Sequence, residues 1–233
     1  MDDVEVITVA SRFRGPDRSA NGGYFAGLVS ARSSAPITLR LLAPPPLDEP
    51  LLLQRDGSAL RVVYDDTVIA EARAIDGGLP AAPVPPHYEA ALEASRHYAG
   101  FHGAAYPHCF VCGALRERGD GLRIFAGPWR DGMVAAPWVP DASLAADDGK
   151  VAAEFMSAAL DCPGYFATQL DLPLLLGEFT VHIDRRVHID EPCVVVGWRL
   201  GSSGRKHVVG TALYDEDGEL CARARGLWIE PRS

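Results

Sequence analysis

The chain contains an internal repeat, and this repeat limits the possible folds more than any other feature. Residues 36–50 read PITLRLLAPPPLDEP, and residues 178–192 read EFTVHIDRRVHIDEP. When the two are aligned without a gap, at an offset of 142 residues, Thr38 matches Thr180 and the Asp-Glu-Pro tripeptides coincide. Apolar residues alternate in the stretch before each tripeptide, which is typical of a strand. One structural unit is therefore expected twice.

Both halves continue in the same order after the repeat. Each has a second strand-like run, LLLQR or CVVVGWRL, followed by turn residues, DGS or GSSGRK. Each then ends in ALRVVYDDTVIAEARA or HVVGTALYDEDGELCARARGLWIE, where Asp and Gly indicate hairpins because they tolerate positive φ. A helical segment precedes each meander, at residues 21–32 and at 150–161, the latter with a possible extension past Pro163. We predict an α+β protein in which each half is a long antiparallel sheet wrapped around one helix.

A proline-rich segment separates the two halves. Four prolines lie between residues 80 and 86, where they remove backbone donors and favour an extended connector. The stretch YEAALEASRHYAGF that follows has the composition and spacing of a short helix. The predicted division is an N-terminal domain at residues 1–80, a connector at 81–106 and a C-terminal domain at 107–233.

Length and charge exclude several classes of protein. A chain of 233 residues is able to bury two cores of ordinary domain size. The net charge of −9 disfavours nucleic acid as a partner, because phosphate backbones are bound by clustered Lys and Arg. Neither a signal peptide nor the roughly 20 consecutive apolar residues of a membrane span is found. We therefore expect a cytoplasmic protein.

The cysteines are odd in number and scattered, unlike those of a secreted disulfide framework. They are Cys109, Cys112, Cys162, Cys193 and Cys221. Cys109 and Cys112 form a C-x-x-C beside His108, which suggests half of a zinc site. No second C-x-x-C or His pair follows at metal spacing, and the nearest further ligands are His97 and His102. We therefore expect reduced thiols and no metal. A redox role for Cys109 and Cys112 is less favoured than a metal site, because the C-x-x-C motif does not precede a helix of a βαβ unit.

A family resemblance rests on three motifs and on the order in which they occur along the chain. HCFVCG followed by GDGLRIF resembles the Cys-Phe-x-Cys-Gly opening and Gly-Leu strand of phenylacetate-pathway-type hotdog thioesterases. GRKHVVGTALYDEDGELCARARGLW is similar to their last strands, and NGGYFAG to the helix start of double-hotdog acyl-CoA thioesterases. The resemblance to the hotdog thioesterase superfamily implies a tandem (double) hotdog whose two domains form an intramolecular pseudo-dimer. It also implies hydrolysis of an acyl thioester, from acyl-CoA or acyl-ACP, in a cleft between them and without a cofactor.

The chain departs from the family pattern differently in its two halves. The His-Gly-Gly of the family's helix start is absent from the second half, where Ala153 and Glu154 replace the glycines. The first half keeps the glycines, but Ser30 stands where a carboxylate is expected. Each half thus holds one part of a site, and we expect the two parts together to form one complete site.

The two half-sites suit thioester hydrolysis. A helix start supplies unpaired N–H groups and glycines permit close approach, so we assign Gly22 and Gly23 as the donors that bind the oxyanion. Asn21 either caps this helix or donates its amide to the substrate. Asp161 is assigned as the general base or nucleophile.

Three polar residues of the second helix share one face because they are three and four residues apart: Glu154, Ser157 and Asp161. In a hotdog dimer this face meets the partner domain and lines the cleft. On a lone amphipathic helix it would face solvent, with Asp161 capping the short helix that follows. We take Glu154 as a second candidate carboxylate and Ser157 as a candidate substrate contact.

The turn SSGRK is a candidate site for the carrier group. Arg205 and Lys206 suit the phosphates of CoA, since Arg pairs bidentately with phosphate oxygens. The alternative is a solvated turn.

Two other functions stay open at this point. A noncatalytic acyl-thioester binding protein would agree with the missing His-Gly-Gly and the divided site. A hotdog dehydratase or hydratase usually needs a helix His, which both helices lack, although His182 and His188 lie on the repeat strand. Acyl chain length, and association of the pseudo-dimers into a homo-dimer, are not decided by the sequence.

Overall fold

The computed structural model describes residues 4–57, 59–75, 77–103 and 106–231. In the N-terminal part the elements are β1 (Val4–Ile7), α1 (Gly22–Ser30), β2 (Ile37–Leu41), β3 (Leu51–Asp56), β4 (Ala59–Tyr64) and β5 (Thr67–Ala74). The helix α2 (Tyr88–Ser95) follows β5 along the chain. The C-terminal part has β6 (Gly127–Arg130), β7 (Met133–Trp138), α3 (Ala153–Ala159), α4 (Cys162–Ala167), β8 (Leu175–Ile183), β9 (Cys193–Ser203), β10 (Lys206–Tyr214) and β11 (Leu220–Ile229). Short 3₁₀ turns lie at Ser11–Phe13, Ala99–His102 and Ala142–Leu144.

Eleven strands of the described ranges form one antiparallel sheet, in the order β1-β3-β4-β5-β2-β8-β11-β10-β9-β7-β6. The N-terminal order β1-β3-β4-β5-β2 is repeated by β7-β9-β10-β11-β8 when the sheet is read from its other edge, with β6 added outside β7. The two parts join where β2 pairs with β8, and there Thr38 lies opposite Thr180. The pair that the sequence repeat aligns is thus the pair at which the two parts meet.

The turns explain why the strands reverse where they do. Asp65 and Asp66 both have left-handed backbones, with φ of 48° and 57°, which is the geometry of a tight hairpin between β4 and β5. The aspartates of the two Asp-Glu-Pro tripeptides share this conformation, with φ of 61° at Asp48 and 62° at Asp190. The repeat therefore extends to local backbone geometry. The predicted DGS turn includes Ser58, which lies outside the described residues.

The first helix agrees with its prediction, whereas the second requires a correction. Asn21 caps α1 by accepting the N–H of Tyr24. The second helical segment was expected from residue 150, but Lys150 and Val151 form β-bridges and α3 begins only at Ala153. The segment then breaks after Ala159 and continues as α4, with Pro163 in the first turn, where a missing N–H does no harm.

The expected Gly-Leu strand is also corrected. Residues 122–126 belong to no strand; instead the N–H groups of Leu122 and Ile124 bond to the carbonyls of Phe110 and Val111. Arg123 between them has φ of 56°, which a regular strand does not allow. Conversely, β1, β6 and β7 were not predicted. They are short strands at or beside the edges of the sheet, and β7 (MVAAPW) is rich in residues of low strand propensity.

Helices cover both faces of the sheet. The main core includes buried residues of α1, α3 and α4, and α1 packs directly against α3. Ala91 and Ala94 of α2 belong to a separate cluster with Val194 and Val196, whereas Val195 belongs to the main core. Because side chains alternate along a strand, α2 lies on the opposite face. No helix within the described ranges has the length and apolarity needed to cross a membrane.

Candidate functional site

Asp161 lies in the break between α3 and α4, and its carboxylate turns toward the start of α1. Its Oδ2 accepts two hydrogen bonds, from Asn21 Nδ2 at 2.7 Å and from the Gly23 N–H at 2.9 Å. The side chain is only 2% exposed and does not cap α4. Its second oxygen, Oδ1, has no hydrogen-bond partner among the described residues. The structure thus joins Asp161, Asn21 and Gly23, and leaves one buried carboxylate oxygen for a ligand or a water.

Two glycines of α1 make this approach possible. Gly23 and Gly27 are four residues apart and face α3. A Cβ on Gly23 would lie 2.6 Å from the Cβ of Asp161, and one on Gly27 would lie 2.6 Å from the Cα of Glu154. Glycine is a poor helix former, so two in a short helix cost helix stability. The close contact between the helices accounts for their presence.

The environment of Asp161 makes its carboxyl group a weaker acid. Burial raises the pKa of Asp161 to about 7, against the opposing hydrogen bond from Gly23. The nearby Cys109 adds to the increase, and the Asn21 hydrogen bond opposes it. A carboxyl group with a pKa near neutrality is suited to accept and release a proton at physiological pH.

A large cavity lies beside Asp161. Its volume is about 1200 Å³, and its wall includes Asn21 and Gly22 from the start of α1 as well as Asp161 and Cys162. Most of the remaining wall is apolar and comes from both parts of the chain, including residues 41–45 and 172–176. The arrangement is that of a ligand site with few polar groups in an apolar enclosure.

The two glycine amides differ in availability. The Gly23 N–H is taken by Asp161. Gly22 is the first residue of α1, where amides have no partner within the helix, and no acceptor for its N–H is found among the described residues. Gly22 also lines the cavity. Of the two predicted oxyanion donors, Gly22 is therefore the one that lines the cavity and whose N–H has no acceptor among the described residues.

Glu154 and Ser157 lie elsewhere on the contact between the helices. Ser157 is fully buried, and its hydroxyl donates to the carbonyl of Gly23 at 2.7 Å. Neither residue lines the large cavity, although Ser157 lines a smaller one of about 330 Å³. The polar face of the second helix thus meets α1, although Glu154 stays partly exposed, and of its three residues only Asp161 lines the large cavity.

Arginines lie at the outer part of the cavity. Arg205 is exposed and lines it, and its guanidinium donates to the carbonyl of Glu230 at 2.7 Å. Lys206 is exposed but is not part of the lining. The exposed Arg18 also lines the cavity, and no motif had indicated it.

Three cysteines come together beside Asp161. The sulfur atoms of Cys109, Cys112 and Cys162 all lie within 4.8 Å of one another, and all three residues are buried and line the cavity. Hydrogen bonds from the thiols of Cys112 and Cys162, and from the backbone N–H groups of Cys112 and Val111, hold the pKa of Cys109 well below its usual value. The sequence indicated the first two cysteines but gave no signal for Cys162, whose position depends on the break before α4.

Of the histidines considered from the sequence, His102 lines the large cavity and the others do not. His97 and His108 are exposed, and His182, half-exposed, faces Asp184 at 3.1 Å. Neither His182 nor His188 lines the large cavity, whose described wall includes His102. A residue that the sequence did not indicate is Trp228, whose buried indole N–H lacks a partner among the described residues and which lines the cavity.

Comparisons with solved structures show the same architecture elsewhere. The TesB protein of Mycobacterium avium subsp. paratuberculosis matches with a TM-score of 0.63 and 16% identity, over 98% of this chain and 93% of that one. The acyl-CoA thioesterase II TesB2 of Mycobacterium marinum matches with a TM-score of 0.59 and 15% identity, over 99% and 93%. A protein of unknown function with a hot dog fold from Alicyclobacillus acidocaldarius matches with a TM-score of 0.55 and 15% identity, over 99% and 94%.

These comparisons establish the fold of the chain. No family model and no curated protein sequence matches it. At identities of 15 to 16%, the likeness to solved structures concerns architecture alone, and it extends over nearly the whole chain. The chain therefore has a hotdog fold, as the motif resemblance predicted.

Proposed function

We propose that the chain is a tandem double hotdog that hydrolyses an acyl thioester in the cavity between its two halves. Residues 1–80 would form the first domain, 81–106 the connector and 107–233 the second domain. The repeated strand order on either side of the β2–β8 pairing supports this division. Two of the matched structures are named TesB proteins, one of them an acyl-CoA thioesterase II.

The observation that carries the proposal is the state of Asp161. Its carboxylate is buried, one oxygen is held by Asn21 and Gly23, and the other has no partner among the described residues. Asp161 also belongs to the wall of a largely apolar cavity. An unsatisfied buried carboxylate oxygen costs stability, so its presence points to a function. We assign Asp161 as the general base.

In the proposed reaction, Oδ1 of Asp161 removes a proton from a water molecule as the water attacks the thioester carbonyl. The C–O bond forms, the C–S bond breaks, and the thiol leaves with a proton while the acid is released. The carbonyl oxygen becomes negative during the attack, and we assign the N–H of Gly22 as the donor that stabilises it. Asn21 and the Gly23 N–H keep the base in place rather than contact the carbonyl.

The charges at the outer part of the cavity suit CoA. Arg18 and Arg205 line the cavity and are exposed, so their guanidinium groups are able to pair with phosphates while the acyl chain enters the apolar interior. We therefore propose acyl-CoA as the substrate, with acyl-ACP as the alternative that shares the phosphopantetheine thioester. Lys206 is proposed only as a secondary contact to the carrier, because it lies outside the lining.

Thiol release from a panel of acyl-CoAs of different chain length tests the proposal. The unmodified chain should release free thiol over many turnovers. Asp161→Asn should lower kcat by about 100-fold or more, the usual contribution of a general base. Asn keeps an oxygen for the Asn21 and Gly23 donors, so thermal unfolding should show an intact fold.

Glu154→Gln discriminates between the two candidate carboxylates. Because Glu154 lies outside the large cavity, its variant should keep turnover. Loss of turnover in Glu154→Gln with normal turnover in Asp161→Asn would transfer the role to Glu154. Saturable acyl-CoA binding without thiol release from any substrate would instead make the chain a noncatalytic acyl-thioester binding protein.

A further inference from the structure

The three-cysteine cluster has the dimensions of a metal site. The sulfur atoms of Cys109 and Cys162 are 3.6 Å apart, and that of Cys112 lies within 4.8 Å of both. A tetrahedral zinc ion with Zn–S bonds of about 2.3 Å places its sulfur ligands about 3.8 Å from one another. A disulfide would need an S–S distance of about 2.05 Å, so the pair is present as thiols. The spacing of the three sulfurs thus differs by about 1 Å or less from that of sulfur ligands on one zinc ion.

The turn that carries the first two thiols is held in a fixed shape. The N–H of Gly113 donates to the carbonyl of Cys109 at 2.9 Å, and the Tyr98 hydroxyl donates to the carbonyl of Cys112 at 2.8 Å. A Cβ on Gly113 would lie 2.5 Å from the Cys109 oxygen, so the turn closes only around a glycine. Cysteine binds metal as the thiolate.

The third thiol and the surrounding donors complete the arrangement. Cys162 is the first residue of α4, directly after Asp161, and the break between the helices turns both side chains toward the cavity. Asn21 Nδ2 lies 4.0 Å from the Cys109 sulfur and 3.9 Å from the Cys162 sulfur. The cluster therefore lies next to polar groups rather than in a purely apolar core, and it borders a cavity through which an ion can enter.

We propose that Cys109, Cys112 and Cys162 bind one zinc ion as three thiolate ligands, with the fourth coordination position open to the cavity. Thiolates select zinc over magnesium or calcium, which prefer oxygen ligands, and an iron–sulfur cluster would need a fourth cysteine. An open fourth position is the arrangement of zinc sites that bind exchangeable ligands, in contrast to the closed four-ligand structural sites. The proposal is independent of thioester hydrolysis.

Metal analysis of the full chain, produced without a histidine tag in zinc-supplemented medium, tests the proposal. About one zinc per chain is expected after extensive dialysis, and X-ray absorption should show a sulfur-dominated shell at about 2.3 Å. Replacement of zinc by cobalt should give intense thiolate-to-cobalt charge-transfer bands. These measurements on the unmodified chain do not depend on the folding of any variant.

Cysteine variants localise the site. Cys162→Ser should lose most of the bound zinc and the charge-transfer intensity, whereas Cys221→Ser should keep both, because Cys221 is equally buried but lies outside the cluster. Zinc content unchanged in Cys162→Ser, a shell of nitrogen and oxygen only, or an unmodified chain that takes up neither zinc nor cobalt would each overturn the proposal.

Discussion

Asn21 and Asp161 are joined by a hydrogen bond of 2.7 Å that crosses the contact between α1 and α3. The oxygen of the same Asn21 amide accepts the N–H of Tyr24 and caps α1. One side chain thus fixes both the helix start that presents Gly22 and the carboxylate opposite it. Because of this double role, a single substitution at Asn21 changes both the stability of α1 and the position of Asp161. Two different substitutions are needed to separate these effects.

We expect Asn21→Ser and Asn21→Ala to differ in stability but to share a catalytic defect. Ser is as good a helix cap as Asn, whereas Ala removes the cap at a cost of about 1 kcal/mol. Both variants remove the donor to Asp161, so both should lower kcat for an accepted acyl-CoA. Urea unfolding and steady-state kinetics measure the two effects separately. Normal kcat in Asn21→Ser would show that the Asp161 contact does not matter for turnover.

The raised pKa of Asp161 predicts a specific pH dependence of stability in the metal-free chain. The folded-state pKa of about 7 is above the ordinary value of 3.8, so the folded chain holds this proton more tightly than the unfolded chain does. The resulting stability is complete below about pH 4 and is lost as the pH rises to about 7, on the order of 4 kcal/mol in total. The pKa values of Asp141 and Asp148 are lowered and act in the opposite direction, so the comparison is with Asp161→Asn.

The measurement is urea unfolding of both proteins between pH 4 and pH 8 in the presence of a chelator. Relative to the unmodified chain, Asp161→Asn should gain stability steadily with rising pH and level off above about pH 7. A difference between the two proteins that does not change with pH would mean that Asp161 titrates normally.

Alanine should affect the free energy of unfolding differently at two glycines of α1. At Gly27 the new Cβ would lie 2.6 Å from the backbone Cα of Glu154, which cannot move aside without separating the helices. At Gly22 it would meet the Cδ2 of Leu176 at 2.7 Å, the flexible end of a side chain. We expect Gly27→Ala to lose about 1–3 kcal/mol of unfolding free energy. Gly22→Ala should be close to neutral, since alanine favours a helix. Equal unfolding midpoints would argue against close packing of α1 on α3.

The sequence indicated the elements of this fold but not all of its contacts. Strand alternation, the capped start of α1 and the repeat are local or periodic signals, and the structure agrees with them. The prediction that Asp161 lies beside the start of α1 came from the expectation that the two half-sites face each other, and its hydrogen bonds to Asn21 and Gly23 agree with it. Cys162 and Trp228 carried no local signal, because their significance depends on residues far away in the chain. Pro163 suggested that the second helix is interrupted, but the sequence did not indicate the residue at which the break occurs. The position of this break determines where the Asp161 side chain points.

The pairing of Thr38 with Thr180 gives a test of the junction between the two parts. Their hydroxyl oxygens are 2.8 Å apart where β2 meets β8. Replacing either by valine, which has nearly the same shape, leaves the other hydroxyl without this partner. Each single variant should have a lower free energy of unfolding, and the double variant should lose less of it than the sum of the two, with a coupling of about 0.2–1 kcal/mol.

Thr211→Val is the matched control, because the Thr211 hydroxyl donates to the carbonyl of Leu160 and shares no partner with Thr38. Thr38→Val and Thr211→Val should therefore be additive in urea unfolding, and additivity of Thr38→Val with Thr180→Val as well would show that the hydroxyl pair does not stabilise the junction.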